Sequence, residues 1–333
     1  MKRVLNSLLL FCMVSVPMVA EDQAADQQKK EMCSPIVRVG DYCKIPVQEL
    51  IDQTYMPNTG DLQKNSRGSF SHSTGPFTIL TSGVYQLTGP ISATTGSTIT
   101  ISASDVVLDL NGFVVSNSLA STGIAINVTG SSNVDICNGT VSNSAFGVQT
   151  ASSTSNHRIL NCDIVSSSNT AIWARANSML IKYCRIFSSG SIAFRFDTST
   201  SNSNVEDCEV IGYTGTAFSI TAGSKHRIIR CAAQDTDSLG TAFSISASNI
   251  EIVDCDILNG GTGISVTGSN CIIIRNNVQG VSGTGIDAST TNNYVAQNIA
   301  KGNVTNYGGS VSSTFIASQA AAEGVDNVDG DLV

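Results

Sequence analysis

A column of cysteines, Cys137, Cys162, Cys184, Cys208, Cys231 and Cys255, recurs through the middle of the chain at a period of about 21 to 27 residues, with similar surroundings each time. Aligned on it, the sequence reads Val134-Asp-Ile-Cys137, Ile159-Leu-Asn-Cys162, Ile181-Lys-Tyr-Cys184, Val205-Glu-Asp-Cys208, Ile228-Ile-Arg-Cys231 and Ile252-Val-Asp-Cys255. Ile273-Ile-Arg-Asn276 and Tyr294-Val-Ala-Gln297 extend the pattern downstream, and Val107-Leu-Asp-Leu110 begins it upstream. The position therefore accepts Leu, Cys, Asn or Gln, and redox chemistry is not its common property.

Two residues past the column stands an apolar residue (Ile164, Ile186, Val210, Ile257, Val278, Ile299). After a polar turn comes a second motif, Gly/Ala-apolar-x-apolar, whose copies start at Gly123, Ala171, Ala193, Ala217, Ala242 and Gly263. Period-two alternation separated by Ser, Asn, Thr and Gly predicts three short strands per repeat, and no run has helical period. A unit this small cannot bury its apolar face alone, whereas stacked coils with strands about 4.8 Å apart bury a continuous core. The offset from the apolar residue to the column is odd, yet both behave as inward positions. The two residues between them must form a tight, bulge-like turn, after which Asn can bond along the stack and Cys or Leu simply packs.

From Gly75 to Ser318 the chain resembles the right-handed parallel β-helix superfamily, the pectin-lyase-like fold. Gly83-Val-Tyr-Gln-Leu87, Ile99-Thr-Ile101 and the run Ser104 to Gly112 are similar to the way many bacterial members begin their first coils. The resemblance implies an all-β fold, a single-stranded right-handed parallel β-helix solenoid. A leucine-rich repeat has a similar period, but Leu is scarce and the L-x-x-L-x-L spacing is missing.

The ends have another character. Lys2 and Arg3, an apolar run from Val4 to Val16, Pro17, and Ala20 before Glu21-Asp22 form the layout of a secretory signal peptide over 1–20. Phe11 before Cys12 argues against a lipoprotein site. A linker is expected over 21–45, with Cys33 and Cys43 as a disulfide in an oxidising compartment. A cap and the opening strands are expected over 46–90, with a short helix at Pro46–Gln53 and a long irregular segment at Tyr55–Ser73. The β-helix proper follows over 91–318, and an acidic solvated tail with Asp326, Asp329 and Asp331 over 319–333. These features predict a secreted, periplasmic or cell-surface protein, and no run is long enough for a transmembrane segment.

The formal net charge is -8 and only 13% of residues are charged, a poor surface for nucleic acid. A polysaccharide, a cell-envelope glycan or another surface protein suits it better. The residues just before the column, Asn161, Tyr183, Asp207, Arg230, Asp254 and Arg275, alternate acid and base on successive coils. As chemistry, Asp207 and Asp254 stand two coils apart, roughly 9.6 Å, near the upper limit for an inverting carboxylate pair, with Arg230 between them to neutralise a uronate. As structure, alternating signs are what stacking demands, and an Arg between two Asp lowers the pKa an acid catalyst needs raised. A second cluster, Trp173 and Arg175 on one coil with Arg195 and Asp197 on the next, offers a sugar platform. It predicts a Trp173–Arg195 cation–π contact and an Arg175–Asp197 ion pair. His157 and His226 occupy matching positions three coils apart and read as turn residues. No triad, zinc spacing or phosphate loop emerges, so no metal or cofactor is expected. The signatures of polygalacturonases, alginate epimerases and pectate lyases also find no residue-by-residue match. Two classes remain: a non-catalytic surface, adhesive or glycan-contacting module, and a divergent polysaccharide lyase or glycoside hydrolase.

Overall fold

The computed structural model describes residues 73–308 and 328–329, apart from 120, 166, 188, 198, 199, 237, 238, 289 and 291. The signal-like segment, the linker with Cys33 and Cys43, the helix at Pro46–Gln53 and most of the segment at Tyr55–Ser73 lie outside the described residues.

One coil displays the scheme of all. Leu180–Lys182 runs into a bend at Tyr183, Arg185–Phe187 follows, and after a polar turn Ile192–Phe196 completes the circuit. Each strand pairs in parallel with its counterpart one coil later: Ile181 opposite Val205, Ile186 opposite Val210, Phe194 opposite Phe218. The first two strands of every coil belong to a 20-stranded sheet, the third to an 11-stranded sheet. Val134–Ser142 and Arg158–Val165 pass through the bend unbroken and join the halves of the larger sheet. The result is a right-handed parallel β-helix with three short strands per coil and, among the described residues, no helix.

Most corners of the described coils are turned at a residue with positive φ. The bend predicted before the cysteine column is left-handed at Asn161, Tyr183, Asp207, Arg230, Asp254, Arg275 and Gln297, all with φ between 51° and 57°. A second corner, leading into the first strand, uses Asn133, Asn156, Ser178, Asn202, Lys225, Asn249, Asn270 and Asn292. The third uses Asn143, Gly212, Asn259, Gly280 and Gly302. Asn and Gly tolerate this conformation at least cost, which is why they punctuate each repeat. The bend does not interrupt the ladder: Asp207 N–H still donates to Ile229 O at 3.1 Å and Arg230 N–H to Val253 O at 3.0 Å.

Inside, like stacks on like. Phe194, Phe218 and Phe243 form a continuous ring stack with centroids 4.8 and 4.7 Å apart. The Gly/Ala position of the second motif is fully buried wherever it is Ala. A Cβ on Gly263 would lie 2.3 Å from Gly285 O, and one on Gly147 2.5 Å from Ala171 O, so in these coils the column has no room for a side chain without a shift of the backbone. In the cysteine column each thiol reaches a carbonyl one coil back: Cys184 Sγ to Ile159 O (3.5 Å), Cys208 to Ile181 O (3.7 Å), Cys231 to Val205 O (3.5 Å). Where the column becomes Asn, its amide meets the same carbonyl, Asn276 Nδ2 to Ile252 O at 3.0 Å and Asn298 Nδ2 to Ile273 O at 2.9 Å. Asn276 Oδ1 also accepts Cys255 N–H and Asn298 Oδ1 accepts Asn276 N–H. Cys and Asn interchange because both donate to one recurring acceptor.

The sequence alignment holds from Cys162 to Asn276 and slips at the ends. Ile159 stands opposite Ile136, not Val134, and Cys162 opposite Gly139, so Cys137 lies in the column of Leu160 instead. The cause is local: Leu110 fills the space, and a Cβ on Gly139 would come within 2.3 Å of its Cβ. Downstream, Val295 pairs with Ile273, which makes Gln297 the left-handed residue and Asn298 the column member; Ile299 is then 43% exposed. The second motif begins at Ala125 rather than Gly123, because Ile124 pairs with Phe146 and Phe146 with Thr170. Coil stacking already exists at Phe77–Ile79, in register with Ser97–Ile101. At the other end Val328–Asp329, in the segment expected to be solvated, adds a parallel strand to Ile299–Lys301.

Two predictions follow from this packing. Phe218→Ala opens a gap inside the ring stack and should cost about 3 to 5 kcal/mol in urea unfolding, whereas Ser219→Ala, in the outward column of Arg195 and Ser244, should cost under about 1 kcal/mol although Ser219 is only 6% exposed. Equal losses would overturn the in-and-out assignment. Cys137, Cys162, Cys184, Cys208, Cys231, Cys255 and Cys271 are all buried free thiols. Alkylation of the native protein should spare all seven and modify them only after denaturation; a disulfide between Cys184 and Cys208 would break the stacking scheme.

Candidate functional site

The left-handed bend projects its side chains outward, so its residues form a line along the coil axis. Arg230 grips Asp207 with two hydrogen bonds, Nε to Oδ1 at 2.7 Å and Nη2 to Oδ2 at 3.0 Å, and Arg275 grips Asp254 in the same way at 2.6 and 2.9 Å. Lys182 adds contacts to Glu206 (3.2 Å) and Asp207 (3.4 Å). The Arg230 guanidinium beside Asp207 holds its carboxyl below the usual carboxylate range, and Arg275 does the same for Asp254. Neighbouring columns repeat the device with Arg158–Asp135, Arg185–Asp163 and Arg227–Glu251. The sequence reveals these pairs only once register is known, since the partners are 22 to 24 residues apart.

On the outer face of the 11-stranded sheet Trp173 stands opposite Arg195. The predicted cation–π contact is present, with the Arg195 guanidinium 4.8 Å from the ring centroid, and Arg175 lies 4.9 Å from it. The ion pair is drawn differently from the sequence expectation: Asp197 binds Arg195 at 2.8 Å, not Arg175, and its other oxygen accepts the indole N–H at 2.8 Å. Asp197 shares its coil with Arg195, two positions along the same face, which puts that guanidinium nearer. Phe146, which the sequence reading missed, stacks on Trp173 from the coil before with centroids 5.3 Å apart. The four sequence-selected residues thus form one cluster, extended by Phe146. Its formal charge is two arginines against one aspartate, on a chain whose net charge is -8.

The two histidines belong to the corner after the 11-stranded sheet. His157 and His226 each follow a left-handed residue and are 1% exposed. Nδ1 of His157 accepts Val134 N–H at 3.2 Å while Nε2 lies 2.9 Å from Thr154 Oγ1. His226 repeats the arrangement with Ser203 N–H at 3.3 Å and Thr200 Oγ1 at 3.3 Å. The same corner N–H finds Ser203 Oγ in one coil and Asn293 Oδ1 in another. These histidines are therefore acceptors for a backbone donor that the corner leaves unpaired, and burial pushes both down to about 4.

Residues 95–238 match the family described as right handed beta helix region. No match was found among curated protein sequences. Among solved structures the chain is similar to DFA-IIIase from Arthrobacter chlorophenolicus A6, at 12% identity and TM-score 0.41 over 73% of this chain; it spans 62% of the length of that protein. It is also similar to ORF18 of Geobacillus virus E2, at 11% identity and TM-score 0.32 over 72% of this chain and 51% of that one. A further similarity is to the receptor-binding protein of bacteriophage Det7, a podoviral tailspike in a myovirus, at 10% identity and TM-score 0.29 over 85% of this chain and 76% of that one.

The histidine geometry fixes a pH response. A neutral imidazole accepts at Nδ1; a protonated one offers N–H to N–H. Because the folded values lie near 4 and the unfolded value near 6.5, the unfolded chain binds more protons between them, and stability declines as pH falls through that window. The loss should reach at most about 3 kcal/mol per histidine by pH 4. Urea unfolding at pH 7 and pH 4.5 checks this against the His157→Asn/His226→Asn double variant, which keeps the acceptor and removes the titration. An unchanged pH slope in that variant would refute the assignment.

Proposed function

We propose that the protein is an exported, non-catalytic β-helix whose lateral surface contacts glycans, with Trp173, Arg175, Arg195 and Asp197 forming a contact for a carboxylate-bearing chain. The supporting observation is the cluster itself: two guanidinium groups held against an indole on the outer face of the 11-stranded sheet, in a chain of net charge -8. Guanidinium forks match carboxylates in shape and charge, and the indole lies against both of them, with Arg195 also paired to Asp197. The coil axis runs past the cluster, so a polymer can lie along it.

The competing reading, a lyase or hydrolase using Asp207, Arg230 and Asp254, needs one carboxylic acid kept protonated near neutral pH. Arg230 and Arg275 act in the opposite direction on those two groups. The acid–base alternation is accounted for by coil-to-coil pairing.

Binding of the protein to polygalacturonate and to uncharged polysaccharides, with assay of new reducing or unsaturated ends, tests this. Trp173→Ala should weaken polygalacturonate binding by about 1 to 3 kcal/mol with the fold intact. Asp207→Asn and Asp254→Asn should leave that binding unchanged. A cleavage activity abolished by either Asp substitution in a folded protein would establish the enzyme reading in its place.

A further inference from the structure

The line of left-handed residues that carries Asp207 and Arg230 has a different character over its first coils. There it reads Asn111, Asn138, Asn161 and Tyr183, with φ of 50°, 59°, 53° and 55°. A cavity of about 470 Å³ opens along it, lined by these asparagines with Asp109, Asp163 and Arg185. It lies on the 20-stranded sheet, whereas the Trp173 cluster is carried by the 11-stranded one.

The side chains of this groove are fixed in advance. Asn161 Nδ2 donates to Asn138 Oδ1 at 3.1 Å, Asn138 Nδ2 to Asp109 Oδ1 at 3.2 Å, and Gln86 Nε2 to Asp109 Oδ2 at 2.9 Å. Arg185 holds Asp163 through two bonds of 2.9 and 2.8 Å. One hydrogen of the Asn161 amide suffices for its bond to Asn138, and the carboxylates retain lone pairs, so donors and acceptors are presented together in set orientations. That mixture suits hydroxyl groups, which give and accept one bond each. Arg185 offsets only one of the two carboxylates, and the residual negative charge disfavours an anionic chain.

Tyr183 is the second observation. It is 58% exposed, one coil beyond Asn161 in the same line, and a bulky residue at positive φ is strained where asparagine is not. The fold has no need of a tyrosine there, since the two preceding coils make the bend with Asn. The ring carries Lys182 Nζ 4.9 Å from its centroid and stands outside the cavity lining, one coil beyond Asn161 in the same line. Aromatic rings flanked by oriented polar groups are what the face and rim of a pyranose require. The rise per coil, about 4.8 Å, also repeats the groove's groups at the scale of successive sugar rings.

We infer that this groove, with the exposed Tyr183 ring one coil beyond its lining, is a second saccharide site, one that takes an uncharged oligosaccharide lying along the coil axis, with Tyr183 as stacking surface and Asn138, Asn161, Asp163 and Arg185 as hydroxyl partners. The inference rests on the glycan-contacting reading above but not on the Trp173 cluster. Titration calorimetry of the full chain with cellohexaose, maltohexaose, chitohexaose and hexagalacturonate tests it. At least one neutral hexasaccharide should bind, Tyr183→Asn should weaken it about tenfold or more, and Trp173→Ala should change it less than twofold. Tyr183→Asn places in the bend the residue already used at 138 and 161, so its thermal midpoint should be equal or higher, and lost binding cannot be laid to unfolding. If hexagalacturonate binds through Trp173 while no neutral hexasaccharide binds, the groove proposal falls and the glycan-contacting reading stands. If a neutral hexasaccharide binds with Tyr183→Asn unchanged, the groove is likewise refuted. If none of the four binds, both fall together.

Discussion

Backbone hydrogen bonding between successive coils, parallel and in register, is the constraint from which the rest of this structure follows. Each strand is three to five residues long in most coils, too short to persist alone, and is held only by the copies before and after it. Once Ile181 lies opposite Val205 and Phe194 opposite Phe218, every other residue of the coil is assigned a partner of the same rank. Identical positions must then be compatible with themselves at about 4.8 Å. Phenylalanines satisfy this by ring stacking, charged residues by alternating sign, and corner residues by donating along the stack.

The corners show how closely conformation and chemistry are tied. A left-handed residue turns the chain by one position and leaves a backbone N–H that the strands do not claim. The next coil supplies the acceptor from a side chain: an imidazole, a hydroxyl or an amide according to the coil. This explains two polar buried histidines without invoking catalysis; thiol and carboxamide replace one another at the column for a different reason, since both donate to the same carbonyl one coil back. It also sets the outward line of the bend, where Asn, Tyr, Asp and Arg share one backbone geometry and differ only in what they present to solvent.

Much of this was legible in the residues. The spacing of Cys162 to Asn276, the Gly/Ala positions and the inward Phe set gave the coil and its three strands, and the odd offset before the column located the bend. The alignment failed at Cys137 for a steric reason: Gly139 lies against Leu110, and only contact distances show that the smaller residue, not the cysteine, occupies the column; at Gln297 it failed because Val295, not Tyr294, pairs with Ile273. Of the candidate clusters, Trp173, Arg175, Arg195 and Asp197 were legible as neighbours, but the Arg195–Asp197 pairing was not, because two arginines compete for one carboxylate and geometry chooses. Phe146 escaped notice since its coil lacks the aligned cysteine. Recurring Asn at 133, 156, 202, 249, 270 and 292 was a signal for the second corner that periodicity alone could have given.

By itself the sequence determined the period, the inward and outward faces, and a low charged fraction of negative balance, because these depend on composition and on spacing within one coil. Tertiary structure alone decided the register between coils at both ends of the repeat, the partner of each charge, and the convergence of Asp109, Asn138, Asn161 and Asp163 into one groove. The physical reason is that contacts across coils join residues more than twenty positions apart, and a slip of one or two residues there leaves the local pattern intact while exchanging every neighbour.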